Sequence, residues 1–354
     1  MGVVKKDALR TTLISYTGLV LGYINKAFLF IIFLSTIEIG LVNLLTTTGL
    51  LFAQLSNLGS IYVTWRFFPF FRNEAKKHYG FLLFNVLLVC LGILIFTTLY
   101  WVFKEEIGAY FHEKSPLFNR YAWWVIPVGI GNVFFMLFEN HMRGLFKNIL
   151  PVFLQDIGLR VVTTLLLVVY ALKLISFESF LTALMVSNLF PALVLAGYLI
   201  YHKELHYSLK HITIPKRFRR ILLSFSAFSY VNTLATMVVV TMDAVMIGGM
   251  IGLAATGIYT TMVQVTSAVL IPFRAMTRVS SPIVAKLWKE KDMKGLQEIY
   301  QKSSGAGLFI GLLSFLGLWL PVHELFYFLR PEFSAGIPVF FSCYWVGWWI
   351  CTAD

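Results

Sequence analysis

The sequence predicts an all-α polytopic membrane protein made of two pseudo-symmetric helical lobes. Three observations carry that expectation. Of 354 residues, 58% are hydrophobic and only 13% charged, against roughly 25% charged in soluble domains. Mean hydropathy is +0.77. Apolar runs long enough to cross a bilayer, about 20 residues each, recur along the chain.

The elements follow in order. The opening "MGVVKKDALRTTLISYTGLVLGYINKAFLFIIFL" places basic residues before an apolar run, as a signal peptide does. The run is too long and no small-residue cleavage site follows, so it reads as the first span. Further spans are expected near 40–65, 79–103, 120–142, 149–172 and 176–201, counting the first as 11–34. After a basic loop come 221–249, 253–283, 303–329 and 336–352, the last with Trp345, Trp348 and Trp349 suited to an interfacial belt. Cys90, Cys343 and Cys351 lie in apolar runs and offer neither a disulfide framework nor a CxxC metal site. No cofactor is expected.

The basic residues sort by side. Twenty-two of the 29 Lys and Arg fall at the N-terminus and in alternate loops, including "HKELHYSLKHITIPKRFRR" and the region from Arg274 to Lys302. The opposite side holds Lys104, Lys114, Arg120, Lys173 and Arg330. By the positive-inside rule the N-terminus is cytoplasmic. The +12 net charge is thereby accounted for, and its dispersal among membrane ends excludes a nucleic-acid surface.

The basic loop divides the chain into an N-terminal six-helix lobe (1–201), an inter-lobe loop (202–220) and a C-terminal lobe (221–354). Setting Gly40 against Gly257 aligns "STIEIGLVNLL" with "GLAATGIYTTM" and pairs Lys26 with Asp243. Parallel repeats of this kind build secondary transporters. Four spans follow the loop where six would complete the copy, so the second lobe is expected to be incomplete.

"DAVMIGGMIGLAATGIYTTM" resembles the seventh-helix turn of the multidrug/oligosaccharidyl-lipid/polysaccharide (MOP) exporter superfamily, through Asp243, Ile247-Gly248 and Gly257-Ile258-Tyr259. "TIEIGLVNLLTTTGLLFAQLSNLGSIYVTWRFFPFF", with Arg66 and Pro69 at its inner end, is similar to the family's first hairpin and second helix. The polysaccharide-unit (O-antigen) flippases of bacteria are the most similar branch. The resemblance implies two six-helix lobes, a central cavity and alternating access driven by an ion gradient. It also implies a multi-pass monomer in the inner membrane whose partners are a lipid-linked oligosaccharide, membrane lipids and H+ or Na+. Residue by residue, the four glycines Gly248, Gly249, Gly252 and Gly257 suit a tight turn and close helix approach rather than binding.

Charges at membrane depth cost about 2.5–3.5 kcal/mol each on insertion scales, so each needs a reason. Lys26 and Asp243 read as a cross-lobe pair, as a cation site at Asp243, or as snorkelling groups. Asp156 and Arg160 are four apart, hence on one helix face, either as a mutual pair or facing a lumen. Glu139 and Arg143 have the same spacing, whereas His141 has no partner at metal-ligand spacing. Arg274 and Arg278 lie one turn apart with no acid between them, which suits a diphosphate or an anionic-lipid surface. Arg66 would complete a basic vestibule with them. The expected substrate-binding set is thus Lys26, Arg66, Arg160, Arg274 and Arg278, and the ion-coupling set Asp243 and Asp156.

The function these residues favour is flipping of a polyprenyl-diphosphate-linked oligosaccharide for cell-surface polysaccharide (lipopolysaccharide O-antigen) synthesis. A cation-coupled multidrug exporter and a lipid II flippase are the alternatives within the superfamily. A membrane glycosyltransferase or polymerase would need paired carboxylates or a metal-diphosphate site. The largest outer loop offers only the adjacent, diverging Glu105 and Glu106, with His112 and Glu113. An enzyme is not expected.

Overall fold

The computed structural model describes residues 2–72, 77–202, 204, 216–267, and 280–320 apart from 281–283, 285, 286 and 289. The described residues contain helices and turns and no strand. α1 (Gly2–Tyr23) runs through a π-helical turn, Ile24–Leu29, into α2 (Phe30–Phe33). α3 (Thr36–Ser56) and α4 (Ser60–Phe71) follow, then a 3-10 turn, Lys77–Gly80, and α5 (Phe81–Val102). α6 (Lys104–His112) leads to α7 (Pro116–Tyr121) and α8 (Val125–Gly144). α9 (Ile149–Phe153) passes through a second π-helical turn, Leu154–Gly158, into α10 (Leu159–Ala171). α11 (Phe177–Ser187), α12 (Phe190–Tyr201), α13 (Lys216–Met250), α14 (Leu253–Thr266) and α15 (Met293–Trp319) complete the described elements.

Seven helical stretches among the described residues are long and apolar enough to span a membrane: Arg10–Phe33, Thr36–Ser56, His78–Val102, Pro116–Gly144, Ile149–Ala171, Phe177–Tyr201 and Arg220–Met250. They match the first seven expected spans to within a few residues at most ends. Of the remaining three, 253–283 is described only in part and 336–352 lies outside the described residues, as do its tryptophans.

One expected span is two helices. The run 40–65 breaks at Leu58 and Gly59, whose φ values of 48° and 77° are left-handed. Asn57 turns the chain there. Its side-chain oxygen accepts from the Ser60 hydroxyl at 2.5 Å and from the Ile61 N–H at 3.3 Å. A helix terminus leaves its last carbonyls without intrahelical partners, and in hydrocarbon such groups must be satisfied by other protein. Here α13 supplies the donors: the Tyr230 hydroxyl donates to the Leu55 carbonyl at 2.7 Å, and the Ser226 hydroxyl to that of Leu58.

The chain forms two compact units, Met1–Asn25 with Ile37–Thr256, and Lys26–Thr36 with Gly257–Asp354. The first contains an aliphatic core in which Val133 and Leu137 of α8 pack with Leu195 and Leu199 of α12 and Val89 of α5. Near the α4–α5 connection a second core is aromatic. Phe71 stacks on Phe81 at 5.3 Å, and Phe67 meets Phe225 of α13 edge-on at 5.4 Å. Fully apolar faces such as Leu94, Trp101 and Val102 of α5 stay exposed, as befits helices whose solvent is lipid. In the second unit, Asp292 caps α15 by accepting from the Gly295 N–H at 3.0 Å, and Lys302 pairs with Glu298 at 2.6 Å.

The turn between α13 and α14 is as tight as its glycines suggested. Helix persists through Gly248 and Gly249 to Met250, and Gly252, at φ 127°, makes the reversal.

Candidate functional site

The densest polar constellation in the first unit joins α1 to the second π-helical turn. A π turn inserts a residue, so side chains four apart no longer stack as they do on an α-helix. Asp156 sits inside that turn and Arg160 just beyond it, and no ion pair joins the two. Each reaches to α1 instead. Asp156 Oδ2 accepts from the Ser15 hydroxyl at 2.7 Å. Arg160 Nη1 donates to the Gly18 carbonyl.

The network continues toward the first π turn. Asn25, 3% exposed, donates from Nδ2 to the Arg160 carbonyl at 2.8 Å, and its Oδ1 accepts from the Thr164 hydroxyl at 2.8 Å. Buried amides of this kind are tolerated only when paired, and both ends of Asn25 are.

The approach depends on two glycines. A Cβ on Gly18 would meet the Asp156 backbone carbonyl, and one on Gly22 would meet the Arg160 guanidinium. "GLVLG", Gly18 to Gly22, is therefore a small-residue packing stripe of the G-x-x-x-G kind. That signal was present in the sequence. Ser15, Asn25 and Thr164 carried none, being ordinary polar residues in an apolar run.

The other expected site residues lie elsewhere. Arg66 is exposed on α4, with its guanidinium 4.6 Å from the Phe225 ring and 5.8 Å from that of Phe67, a cation–π position. Asp243 is exposed on α13, in the first unit. Lys26 is exposed in the first π turn and belongs to the second unit. Arg274 and Arg278 lie outside the described residues.

A second polar group, unforeseen from sequence, lies where α8, α12 and the 3-10 turn end. His78 Nε2 is 3.3 Å from Glu204 Oε2, and Lys147 Nζ is 3.7 Å from Glu204 Oε1. The His78 hydrogen bond holds the Glu204 carboxyl below its usual value of 4.5, against burial, which pushes it up. His141 stands 6.3 Å away, ring to ring, 1% exposed and edge-on to Phe68, with neither nitrogen hydrogen-bonded among the described residues. Glu139 and Arg143 pair at 2.5 Å, as their spacing predicted. Among the described residues no three His, Cys, Asp or Glu side chains converge as metal ligands.

Seven apolar helices and a buried polar network between two of them define a multi-pass membrane protein. Its fold is that of the MOP superfamily. Over 95% of this chain and 81% of the other, it superposes with a TM-score of 0.69 on the inward-facing conformation of a multidrug resistance MATE family transporter of that superfamily, at 13% identity. A MATE protein in complex with MaL6 aligns over 95% of this chain and 73% of its own, at 14% identity and a TM-score of 0.46. No curated protein matches the sequence. The polysaccharide biosynthesis protein family model matches residues 4–288, and the chain belongs to that family.

Proposed function

We propose that the protein flips a polyprenyl-diphosphate-linked oligosaccharide across the bacterial inner membrane by alternating access, with its N-terminus cytoplasmic. One observation carries the reading: a polysaccharide-biosynthesis family sequence, matched over residues 4–288, adopts a transporter superfamily's fold. The two repeats, 1–201 and 221–354 joined by the basic segment 202–220, are its lobes. Arg274 and Arg278, with Arg66 and Lys26, receive the diphosphate, for which guanidinium forks are matched.

Coupling to H+ or Na+ falls to Asp156 and Asp243. Support for Asp156 comes from its surroundings: a carboxylate at membrane depth, with one hydrogen bond from Ser15 and an arginine one helical step away, binds a cation only by rearranging that network. Arg160 is then substrate-facing.

A cation-coupled drug exporter is the second reading, favoured by the multidrug resistance transporter with the same fold. The experiment is flipping of a fluorescent polyprenyl-diphosphate oligosaccharide in proteoliposomes under an imposed ion gradient. Wild type flips it and R274A/R278A does not, while D156N flips without responding to the gradient. Export of a cationic dye with no lipid flipping establishes the second reading instead.

A further inference from the structure

A cavity of about 570 Å³ lies within the first unit, walled by α3, α5, α6 and the start of α8. Ligand sites in proteins span ~300–1,000 Å³, so its size suits one hydrocarbon chain or one small molecule. The wall is aromatic and aliphatic, with Phe52 and Leu51 of α3, Phe96 and Leu99 of α5, and Phe111 of α6. Water finds no partners on such a wall, whereas hydrocarbon gains dispersion contacts.

One lining residue departs from the pattern. Among the described residues Glu106, on α6, is the only Asp, Glu, Lys or Arg that lines the cavity, and it makes no ion pair with them. It stands at headgroup level. α6 begins just after the membrane-spanning α5 ends at Val102, Trp101 is exposed there, and Lys104 Nζ lies 4.8 Å from the Trp101 ring. Tryptophan and lysine at a span's end mark the interface.

A single carboxylate stands at the rim of a hydrocarbon-lined hole. We infer that the cavity binds a zwitterionic aminophospholipid of the surrounding bilayer, with one acyl chain inside it. The lipid's ammonium faces Glu106. The inference is independent of the transported substrate.

The test uses the full chain in nanodiscs containing phosphatidylethanolamine with a diazirine on one acyl chain, and in parallel phosphatidylglycerol carrying the same chain. After photolysis the labelled peptides are mapped by mass spectrometry. Label concentrates in residues 96–111, and phosphatidylethanolamine exceeds phosphatidylglycerol by about fivefold, the worth of one charge at the membrane surface. E106Q, an exposed substitution that leaves folding intact, brings the two lipids within about twofold of each other by the same charge argument. L51W fills the cavity and abolishes labelling by both. Label spread evenly over the spans and unchanged by either substitution overturns the inference. So does equal labelling by the two lipids in wild type. Displacement of the label by micromolar tetraphenylphosphonium overturns it too, assigning the cavity to a small lipophilic cation.

Discussion

Helical regularity fails at two places in the first unit, and the two failures export different groups. At Leu154–Gly158 the helix gains a residue and continues, so its backbone stays satisfied and its side chains swing out of register. Asp156 and Arg160 are thereby delivered to α1. At Asn57–Gly59 the helix stops and starts again, and what leaves register is the backbone, whose Leu55 and Leu58 carbonyls are taken up by α13. A π turn makes a side-chain site; a break makes a dependence between helices.

Substitutions can break each side of that contrast separately. The largest effect is expected at the π turn. Gly18→Val drives a side chain into the Asp156 backbone carbonyl, and overpacking of this kind costs about 1–3 kcal/mol. Thermal unfolding in detergent should show a lowered midpoint, with Gly18→Ala intermediate. A midpoint unchanged by valine would mean that α1 does not pack against the π turn.

At the break, Tyr230→Phe removes one hydroxyl and leaves the Leu55 carbonyl unpaired, at a cost of about 1 kcal/mol. Combining it with Ser226→Ala tests whether the two carbonyls act independently. Additive losses mean two separate bonds; a smaller sum means the break closes as a unit.

Two smaller effects sharpen the comparison with regular helix ends. The Glu204 carboxyl is depressed in the folded protein, so its contribution is complete above its unfolded value of 4.5 and is lost as pH falls below that. Hydrogen exchange at the Glu204 N–H, bonded to the Leu199 carbonyl at 2.9 Å, should accelerate beyond the intrinsic rate change as pH drops below about 4.5. His78→Gln should remove most of that dependence. Least of all, Glu139→Gln weakens a pair on an unbroken helix, where Arg143 is 44% exposed; such pairs contribute roughly 0.3–0.5 kcal/mol. A larger loss would show that the α8 terminus, with its orphaned His141, is more tightly coupled than its hydrogen bonds indicate.

The seven spans were legible because a bilayer imposes a length and a polarity that survive averaging over twenty residues. Averaging also hid the break. "SNLGS", Ser56 to Ser60, has the small polar residues of a turn, yet sits between apolar segments that keep the mean high. Neither π turn was legible, since inserting a residue requires no special residue type. That is why Asp156 and Arg160 appeared from spacing alone as a mutual pair or as lumen-facing groups. Glu139 and Arg143, on regular helix, were read correctly by the same rule. The His78–Glu204 pair joins residues far apart in sequence, beyond the reach of any local pattern.

The break at Asn57–Gly59 also has a consequence for synthesis. Leu58 and Ser226 are 168 residues apart, and Leu55 and Tyr230 are 175 apart. At ribosomal rates the donors emerge roughly 10–30 s after the carbonyls they satisfy. Through that interval the nascent second span carries two polar groups in hydrocarbon with no partner from its own helix. The membrane-insertion machinery therefore has to shelter this span until the seventh arrives, and chains arrested before residue 226 should be preferred targets of membrane proteolysis.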